Sequence, residues 1–169
     1  MEELIKWEHT YQALRDYAET VIQTYKDNLY INDHIATGAL VSTIDYVIEL
    51  GPNNVEVTLR LEDYWKYIEY NTKPHFPPYN AILDWVKVKF KGNLPTTYSG
   101  KLPSQETLEK QFAYLTQQKI GREGTTGTHT LQDTIDEINS QFEAIINQAI
   151  EQDVNEGITT ILLKAFGGE

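Results

Sequence analysis

The side chains that could do chemistry are dispersed along this sequence rather than gathered in motifs. The four histidines lie in four separate segments, and no two of them stand four residues apart, the spacing that places two metal ligands on one helix face. They are His9, His34, His75 and His129. The sequence therefore predicts no metal site.

Signatures of catalysis are equally weak. The chain has no cysteine, which excludes a disulfide framework, a thiolate zinc site and a cysteine nucleophile. The His-Glu-x-x-His, Gly-x-Ser-x-Gly and phosphate-loop motifs do not occur. Acidic pairs such as Glu2-Glu3 and Glu62-Asp63 fall at predicted helix starts, where carboxylates favour the helix dipole. A glycosidase-type carboxylate pair stays open, but the sequence gives no positive reason to expect an enzyme.

Two local patterns raise the question of phosphate binding. The run from Gly121 to Gly127 looks like a phosphate loop, but it follows a predicted helix end, where carbonyl groups have the wrong polarity for phosphate, and it lacks the lysine. We interpret it as a helix stop and a turn. Lys87, Lys89 and Lys91 form the only basic concentration. They are either a solvated edge or a contact for an acidic neighbour or a phosphate.

Charge and composition narrow the class of protein. The 169 residues carry 25 acidic and 14 basic side chains, a formal net charge of -11. An acidic chain disfavours sequence-specific binding to nucleic acid, because such binding usually needs a basic face against the phosphates. No apolar run approaches the length of a membrane helix, and the N-terminus has no signal-peptide pattern. We therefore expect a soluble, intracellular protein without a membrane partner.

Apolar periodicity predicts that the chain begins with a long helix over residues 2–29. A stripe at spacings of three and four residues runs along it, made of Leu4, Trp7, Tyr11, Leu14, Ala18, Val21 and Tyr25. This stripe either lies across a sheet or, especially through Trp7 and Tyr11, meets another subunit. Periodicity does not separate the two, because both bury the same face.

Turn residues and prolines predict the next elements. Residues 39–44 are a short helical or extended piece, and alternating apolar residues around a turn predict a hairpin over 45–61. A short aromatic helix follows over 64–70. Three prolines in five residues then predict a stiff, extended loop over 71–78, because proline can neither continue a helix nor join a central strand.

The remaining elements complete an α+β fold. Three further helices are predicted, over 79–88, 104–120 and 130–155. The middle helix is capped by Ser104 and places Leu108, Phe112 and Leu115 on its inner face. The β-branched residues of 158–166 predict a C-terminal strand. The sum is a single domain, residues 1–169, with a small antiparallel sheet of about three strands packed against two long helices and two or three shorter ones.

Aromatic side chains are concentrated around the proline loop. Seven of them lie within 22 residues, namely Tyr64, Trp65, Tyr67, Tyr70, Phe76, Tyr79 and Trp85. Some of these rings are expected to build the core. Others suit a protein interface, because aromatic rings and a stiff loop lose little entropy on docking. The sequence leaves both uses open.

Three segments resemble one protein family. Residues 36–44 resemble the Thr-Gly-x-Leu-x-x-Ser-Ile element that follows the first helix of tail-completion and neck proteins of tailed bacteriophages. Residues 67–72 and 74–81 resemble that family's Val-Glu-x-Gly-Thr element and its Pro-Phe-x-x-Pro-Ala continuation. Asn71 replaces the usual glycine, and we expect the turn to survive because asparagine tolerates a left-handed backbone. Residues 115–127 are similar to a segment in versions from phages of gut Bacteroidetes.

The resemblance, which covers roughly residues 1–135, implies a virion structural protein of the head–tail junction. Proteins of this family form rings stacked on the connector below the portal and leading to the tail, and they bind no cofactor and catalyse no reaction. The partners so implied are copies of the chain in a cyclic ring, portal, adaptor and tail proteins, and nearby channel DNA, without a small-molecule substrate. The implied location is the virion neck, after assembly in the host cytoplasm. An acidic chain suits a channel wall because it repels DNA phosphates.

We expect subunit contacts at the proline loop and on the first helix. The expected interface residues are Lys73, His75, Phe76, Pro77, Tyr79, Trp7 and Tyr11. A portal adaptor or a tail-terminator ring protein is the alternative within this class. A small phage hydrolase or nuclease instead predicts converging acids or histidines and metal-dependent activity. A DNA-packaging accessory protein predicts salt-sensitive DNA binding through Lys87, Lys89 and Lys91.

Overall fold

A computed structural model describes residues 5–31, 39–51, 55–63, 65–94 and 103–166. Predictions on His34, on Tyr64 and on the turn at 52–54 lie outside the described residues. Within the described ranges, no helix combines the length and the apolarity that crossing a membrane requires.

Over the residues described, the protein is mainly helical, with one small antiparallel sheet. Its elements are α1 Glu8–Ile31, α2 Ala39–Thr43, β1 Asp45–Leu50, β2 Val55–Arg60, α3 Trp65–Glu69, α4 Tyr79–Phe90, α5 Gln105–Glu123 and α6 Thr130–Phe166. The predicted hairpin is confirmed as β1 and β2, with Asp45 opposite Arg60. The α+β class is confirmed at this coarse level, but the sheet has two strands instead of about three.

The largest correction concerns the C-terminal segment. Residues 158–166, predicted as a strand, belong to α6, which runs for 37 residues through Gly157 to Phe166. A helix that has already formed extends without a new nucleation step, and the leucine, lysine and alanine residues here are good helix formers. These two effects outweigh the β-branched residues, so the expected third strand does not form.

Smaller corrections concern where helices begin and end. Helix α1, predicted over 2–29, begins at Glu8, and residues 5–7 are not helical. Helix α4 continues to Phe90 and α5 to Glu123, beyond the predicted ends at 88 and 120. Ser104 is confirmed as the N-cap of α5, because its side chain accepts a hydrogen bond from the backbone N–H of Thr107.

The described residues form two compact units, each built from separate stretches of chain. The acidic unit comprises Met1–Asp27, Ile44–Leu61 and Leu131–Glu169, and the loop unit comprises Asn28–Thr43 and Glu62–Thr130. The acidic unit has 17 acidic and five basic side chains, a formal charge of -12, whereas the loop unit has eight and nine, a charge of +1. The prediction of a single domain stays a prediction.

Helices α1 and α6 supply most of the buried side chains of the acidic unit, and Ile44 adds one before β1. The middle of the predicted α1 stripe is buried, and Ile138 and Ala149 of α6 are buried as well. The Tyr17 hydroxyl donates to Asn139 Oδ1 at 2.6 Å, and the Tyr17 ring lies 5.7 Å from that of Phe142. Amphipathic packing between two long helices therefore organises this unit.

A buried carboxylate joins the start of α1 to α6. The backbone N–H groups of His9 and Thr10 donate to the two oxygens of Asp153 at 3.0 and 2.8 Å. These N–H groups lie in the first helical turn, where they lack an intrahelical acceptor and favour negative charge. Burial raises the pKa of Asp153, but the hydrogen bonds from Thr10 and His9 outweigh burial and lower its pKa below the ordinary value.

Candidate protein interface

Two loops of the loop unit are hydrogen-bonded to each other. The proline loop, residues 71–78, joins α3 to α4, and the glycine loop, residues 124–129, joins α5 to α6. The Thr72 N–H donates to the Thr125 carbonyl at 2.9 Å, and the Thr125 N–H donates back to Thr72 Oγ1 at 2.9 Å. Each threonine therefore supplies both a donor and an acceptor to the other loop.

The rest of the glycine loop is bonded to the start of the proline loop and to the end of α3. The Gly127 N–H donates to Asn71 Oδ1 at 2.8 Å. The Thr128 N–H donates to the Ile68 carbonyl at 2.8 Å, and the His129 N–H donates to the Glu69 carbonyl at 3.2 Å. The N–H groups of Thr125 and Gly127, within the run from Gly121 to Gly127, are therefore bonded inside the protein rather than directed to a phosphate.

Asn71 has a different role from the one expected. Its backbone is not among the positive-φ residues, so the left-handed turn expected at this position is not adopted. The Asn71 side chain instead accepts the hydrogen bond from Gly127. An asparagine can make this contact, whereas glycine has no side-chain acceptor. The positive φ near this contact belongs to Gly124, at 76°, and to His129, at 53°.

Three glycines allow the segments around these two loops to approach this closely. A Cβ atom at Gly124 would overlap the Thr72 carbonyl oxygen, and one at Gly127 would overlap the backbone of Glu69 and Tyr70. A Cβ atom at Gly121 would overlap the ring of Phe76. Gly121 was predicted to stop the helix, but it lies inside α5 and provides space for that ring.

Helix α5 holds the far side of the proline loop. The His75 N–H donates to the Ile120 carbonyl at 3.4 Å, and Gln117 Nε2 donates to the Pro77 carbonyl at 2.7 Å. Just beyond the loop, the Tyr79 hydroxyl donates to a backbone carbonyl of α5 at 3.1 Å. The proline loop is therefore held at several points by other segments, in addition to the stiffness that its prolines provide.

The fixed loop presents aromatic and basic side chains to solvent. We define the proline-loop surface as Tyr67, Tyr70, Lys73, His75 and Phe76, all of which are exposed. Tyr67 is 59% and Phe76 is 63% exposed. The rings of Tyr67 and His75 lie 6.4 Å apart. This surface is rich in aromatic rings, which are enriched at protein interfaces. Lys73 adds one permanent positive charge.

Most of the aromatic cluster does not build the core. Among its described members, Tyr67, Tyr70, Phe76 and Trp85 are exposed, and Trp65 and Tyr79 are half-buried. Small or aliphatic residues are buried in this unit instead, among them Val86 and Ala113. Of the two uses left open by the sequence, exposure of the rings therefore favours the interface.

An apolar groove of about 460 Å³ shares Tyr67 with the proline-loop surface. Ile68, Ile82, Trp85 and Ile120 supply most of its apolar lining, and threonines of the glycine loop complete it. Lys89 also lines this groove, and it is half-buried. This lysine is therefore not part of a fully solvated edge.

The other two predicted interface residues belong to the acidic unit. Trp7 precedes α1 and is half-buried, and Tyr11 in its first turn is 46% exposed. The Tyr11 N–H donates to the Trp7 carbonyl at 3.0 Å, which ties the two residues together. Pro77 and Tyr79 of the loop unit are half-buried, so of the predicted loop residues Lys73, His75 and Phe76 are the most accessible. The list itself stays a prediction.

The described histidines each have a separate environment. His9 Nε2 lies 3.2 Å from Glu156 Oε1, and His75 Nδ1 lies 2.9 Å from the carbonyl of Lys73. The His129 ring meets the ring of Tyr70 edge-on at 6.3 Å. Within the part of the chain that the structure describes, no group of three or more histidine, aspartate or glutamate side chains is arranged to hold a metal ion.

Comparisons with known proteins do not add to this geometry. No family model, no curated protein and no solved structure matches the chain. Functional interpretation therefore depends on the contacts of this chain and on the resemblance carried by its motifs.

Proposed function

We propose that the protein is a structural component of the head–tail junction of a tailed bacteriophage, a neck or tail-completion ring subunit that catalyses no reaction. One observation carries the proposal. Two segments that resemble that family, residues 67–81 and 115–127, are distant in sequence but pack together through their backbones. Together they build one fixed surface with exposed aromatic rings.

The construction of the proline-loop surface supports a docking role. Interface energy concentrates in a few aromatic or arginine anchors, and a surface ordered beforehand loses little conformational entropy on binding. Here Phe76 lies over Gly121 while remaining 63% exposed, so its ring is supported on one side and accessible on the other. Neighbouring ring proteins of the virion are the partners we propose for this surface.

The charge of the acidic unit supports proximity to DNA in the channel. Helix α6 carries six exposed carboxylates between residues 133 and 156, at Asp133, Asp136, Glu137, Glu143, Glu151 and Glu156. Such a surface repels phosphates and lets DNA pass without binding. We propose that this unit, rather than the near-neutral loop unit, borders the channel.

Assembly with an altered proline-loop surface tests the proposal. Tyr67→Ala and Phe76→Ala should leave the circular dichroism spectrum unchanged and reduce the number of tailed virions at least tenfold. Tyr114→Ala is the matched control, because Tyr114 is also an exposed tyrosine of the loop unit, at 54% against 59% for Tyr67. Antibody against the chain should label the head–tail junction. Normal assembly with both loop variants, or label elsewhere in the virion, contradicts the proposal.

Assays of the purified chain separate the competing classes. A hydrolase or nuclease would cleave its substrate with magnesium and lose that activity on chelation. A packaging accessory protein would shift DNA in a gel at low salt and lose the shift on Lys87→Ala, Lys89→Ala and Lys91→Ala. The neck proposal predicts neither cleavage nor a shift.

A further inference from the structure

The end of α6 differs from the rest of that helix in charge. Residues 130–156 contain seven acidic and no basic side chains, whereas residues 157–166 contain no acidic side chain and one basic one, Lys164. Association between copies of a chain with a net charge of -11 is opposed by mutual repulsion. We call residues 157–166 the α6 end. Copies of the chain can approach each other at this segment without that repulsion.

The α6 end exposes an unusual amount of apolar surface. Its five large apolar residues are 38–83% exposed, and they are Ile158, Ile161, Leu162, Leu163 and Phe166. A patch of this kind, on the order of a few hundred Å², is as large as the largest apolar patch of an ordinary monomer, and such patches are often functional. The hydroxyls of Thr159 and Thr160 donate to carbonyls of their own helix at 2.8 Å. Their hydrogen-bond donors are therefore satisfied without water.

The distribution of these side chains around the helix favours two neighbours. At 3.6 residues per turn they span an arc of about 200°, with Ile161 and Leu163 at its edges. One partner helix covers a stripe of about 100°. An arc twice that wide is covered when a helix lies between two others, as in a closed ring of identical subunits.

We propose that the α6 end is the contact between copies of this chain, with each α6 end packed between the α6 ends of two neighbours. This inference rests on the proposed function for the expectation of a ring, and it adds the site of self-association. It is separate from the proline-loop surface, which docks other virion proteins. The area that faces each neighbour is smaller than a stable pairwise interface needs, so we expect reversible association that becomes cooperative on ring closure.

Cysteine cross-linking tests the geometry, because the chain contains no natural cysteine. Ile161→Cys with Leu163→Cys places thiols on the two edges of the arc, where they cannot pair within one helix. Oxidation of the concentrated protein should give a ladder of trimers and larger species. The matched control is Ile145→Cys with Asn147→Cys, also exposed on α6 with the same spacing. A ladder no stronger than that of the control, or dimers alone, overturns the proposal.

Sedimentation of point variants provides a second measurement. Ile158→Lys should lower the average mass of the concentrated protein to that of a monomer. Ile145→Lys is the matched control, because Ile145 is 49% and Ile158 is 48% exposed on the same helix. This control should keep the average mass of the wild type. Equal masses for the two variants contradict the proposal, and so does flotation of the wild type with phosphatidylcholine vesicles. A cross-linked ladder without label at the head–tail junction would refute the neck function and leave self-association standing.

Discussion

The acidic unit contains 17 acidic and five basic side chains, whereas the loop unit contains eight acidic and nine basic ones. The two units also differ in the contacts that fasten them. A buried carboxylate, Asp153, joins two helices of the acidic unit. In the loop unit, neutral backbone groups of the proline and glycine loops bind each other, and glycines provide the necessary space.

This difference separates two kinds of sensitivity. A contact between neutral backbone groups responds to volume and to backbone conformation, but it does not titrate in the ordinary pH range. A contact that depends on an ionised carboxylate responds to pH. We therefore expect steric substitutions to be most damaging in the loop unit, and acid to act first on the acidic unit.

The largest effect is expected from Gly124→Ala. Gly124 has a φ of 76°, and the new Cβ atom would overlap the Thr72 carbonyl oxygen. Because strain and overlap add, we expect a loss of at least about 3 kcal/mol in the free energy of unfolding. Urea denaturation followed by tryptophan fluorescence measures it, since Trp65 and Trp85 both lie in this unit.

Gly92→Ala is the matched control for Gly124→Ala. Gly92 has a φ of 86°, but its added Cβ atom would meet only the side chain of Gln105, at 3.8 Å. The backbone strain is then present without the overlap, and we expect a loss of about 1 kcal/mol. Equal losses at the two positions would show that close packing of the loops is not what requires a glycine at Gly124.

The next largest effect is expected from Asp153→Ala. The substitution leaves a part-buried and a buried N–H group at the start of α1 without their acceptor. We expect the free energy of unfolding to fall by about 3 kcal/mol. Asp153→Asn keeps one acceptor and should lose about half as much. Asp133→Asn is the control, because Asp133 is an exposed carboxylate on the same helix. Chemical denaturation at neutral pH compares the three variants.

The pH dependence of Asp153→Asn sharpens the same point. Because the folded-state pKa of Asp153 lies below its ordinary value of 3.8, the carboxylate stabilises the fold fully above that value. Its contribution disappears as the pH falls through the lower pKa of the folded state. The stability difference between wild type and Asp153→Asn should therefore shrink between about pH 5 and pH 2. A constant difference would contradict an ionic contribution.

The sequence predicts the local elements better than their ends. The hairpin and five of the helices follow from periodicity, caps and turns, which are local signals. The helix across Gly157 does not, because a single glycine and a β-branched run weaken a helix only slightly once it has formed. Leu115 was predicted to face inward and is 61% exposed, while Ala113 is buried, since a small side chain gives little hydrophobic signal.

The candidate site is predictable in part. Three prolines identify a stiff loop, and aromatic density indicates an interface or a core. The pairing of Thr72 with Thr125 is not predictable, because threonine is common in loops and its partner lies 53 residues away. The spacing of Gly121, Gly124 and Gly127 was the available signal. Glycine repeated every third residue around a helix end indicates close approach of another segment as well as a helix stop.

A smaller effect is expected from Tyr17→Phe in the acidic unit. The substitution removes the hydrogen bond to Asn139 but keeps the ring against Phe142. Because phenylalanine has no polar group in place of the hydroxyl, we expect the free energy of unfolding to fall by less than about 1 kcal/mol. Thermal unfolding by circular dichroism measures the change. A loss as large as that of Asp153→Ala would show that Asp153 is not the strongest polar contact between α1 and α6.

The smallest effect is expected from Arg15→Gln. Arg15 Nε lies 2.8 Å from Glu19 Oε1 one helical turn away, and the hydrogen bond and charge of Arg15 lower the pKa of Glu19. Both side chains are about half exposed, so water and salt screen the pair and compete for its hydrogen bonds. We expect the unfolding midpoint of this variant to match that of the wild type at low and at high salt. If the midpoint falls at low salt only, exposed ion pairs also stabilise the acidic unit, and its pH response cannot be assigned to Asp153 alone.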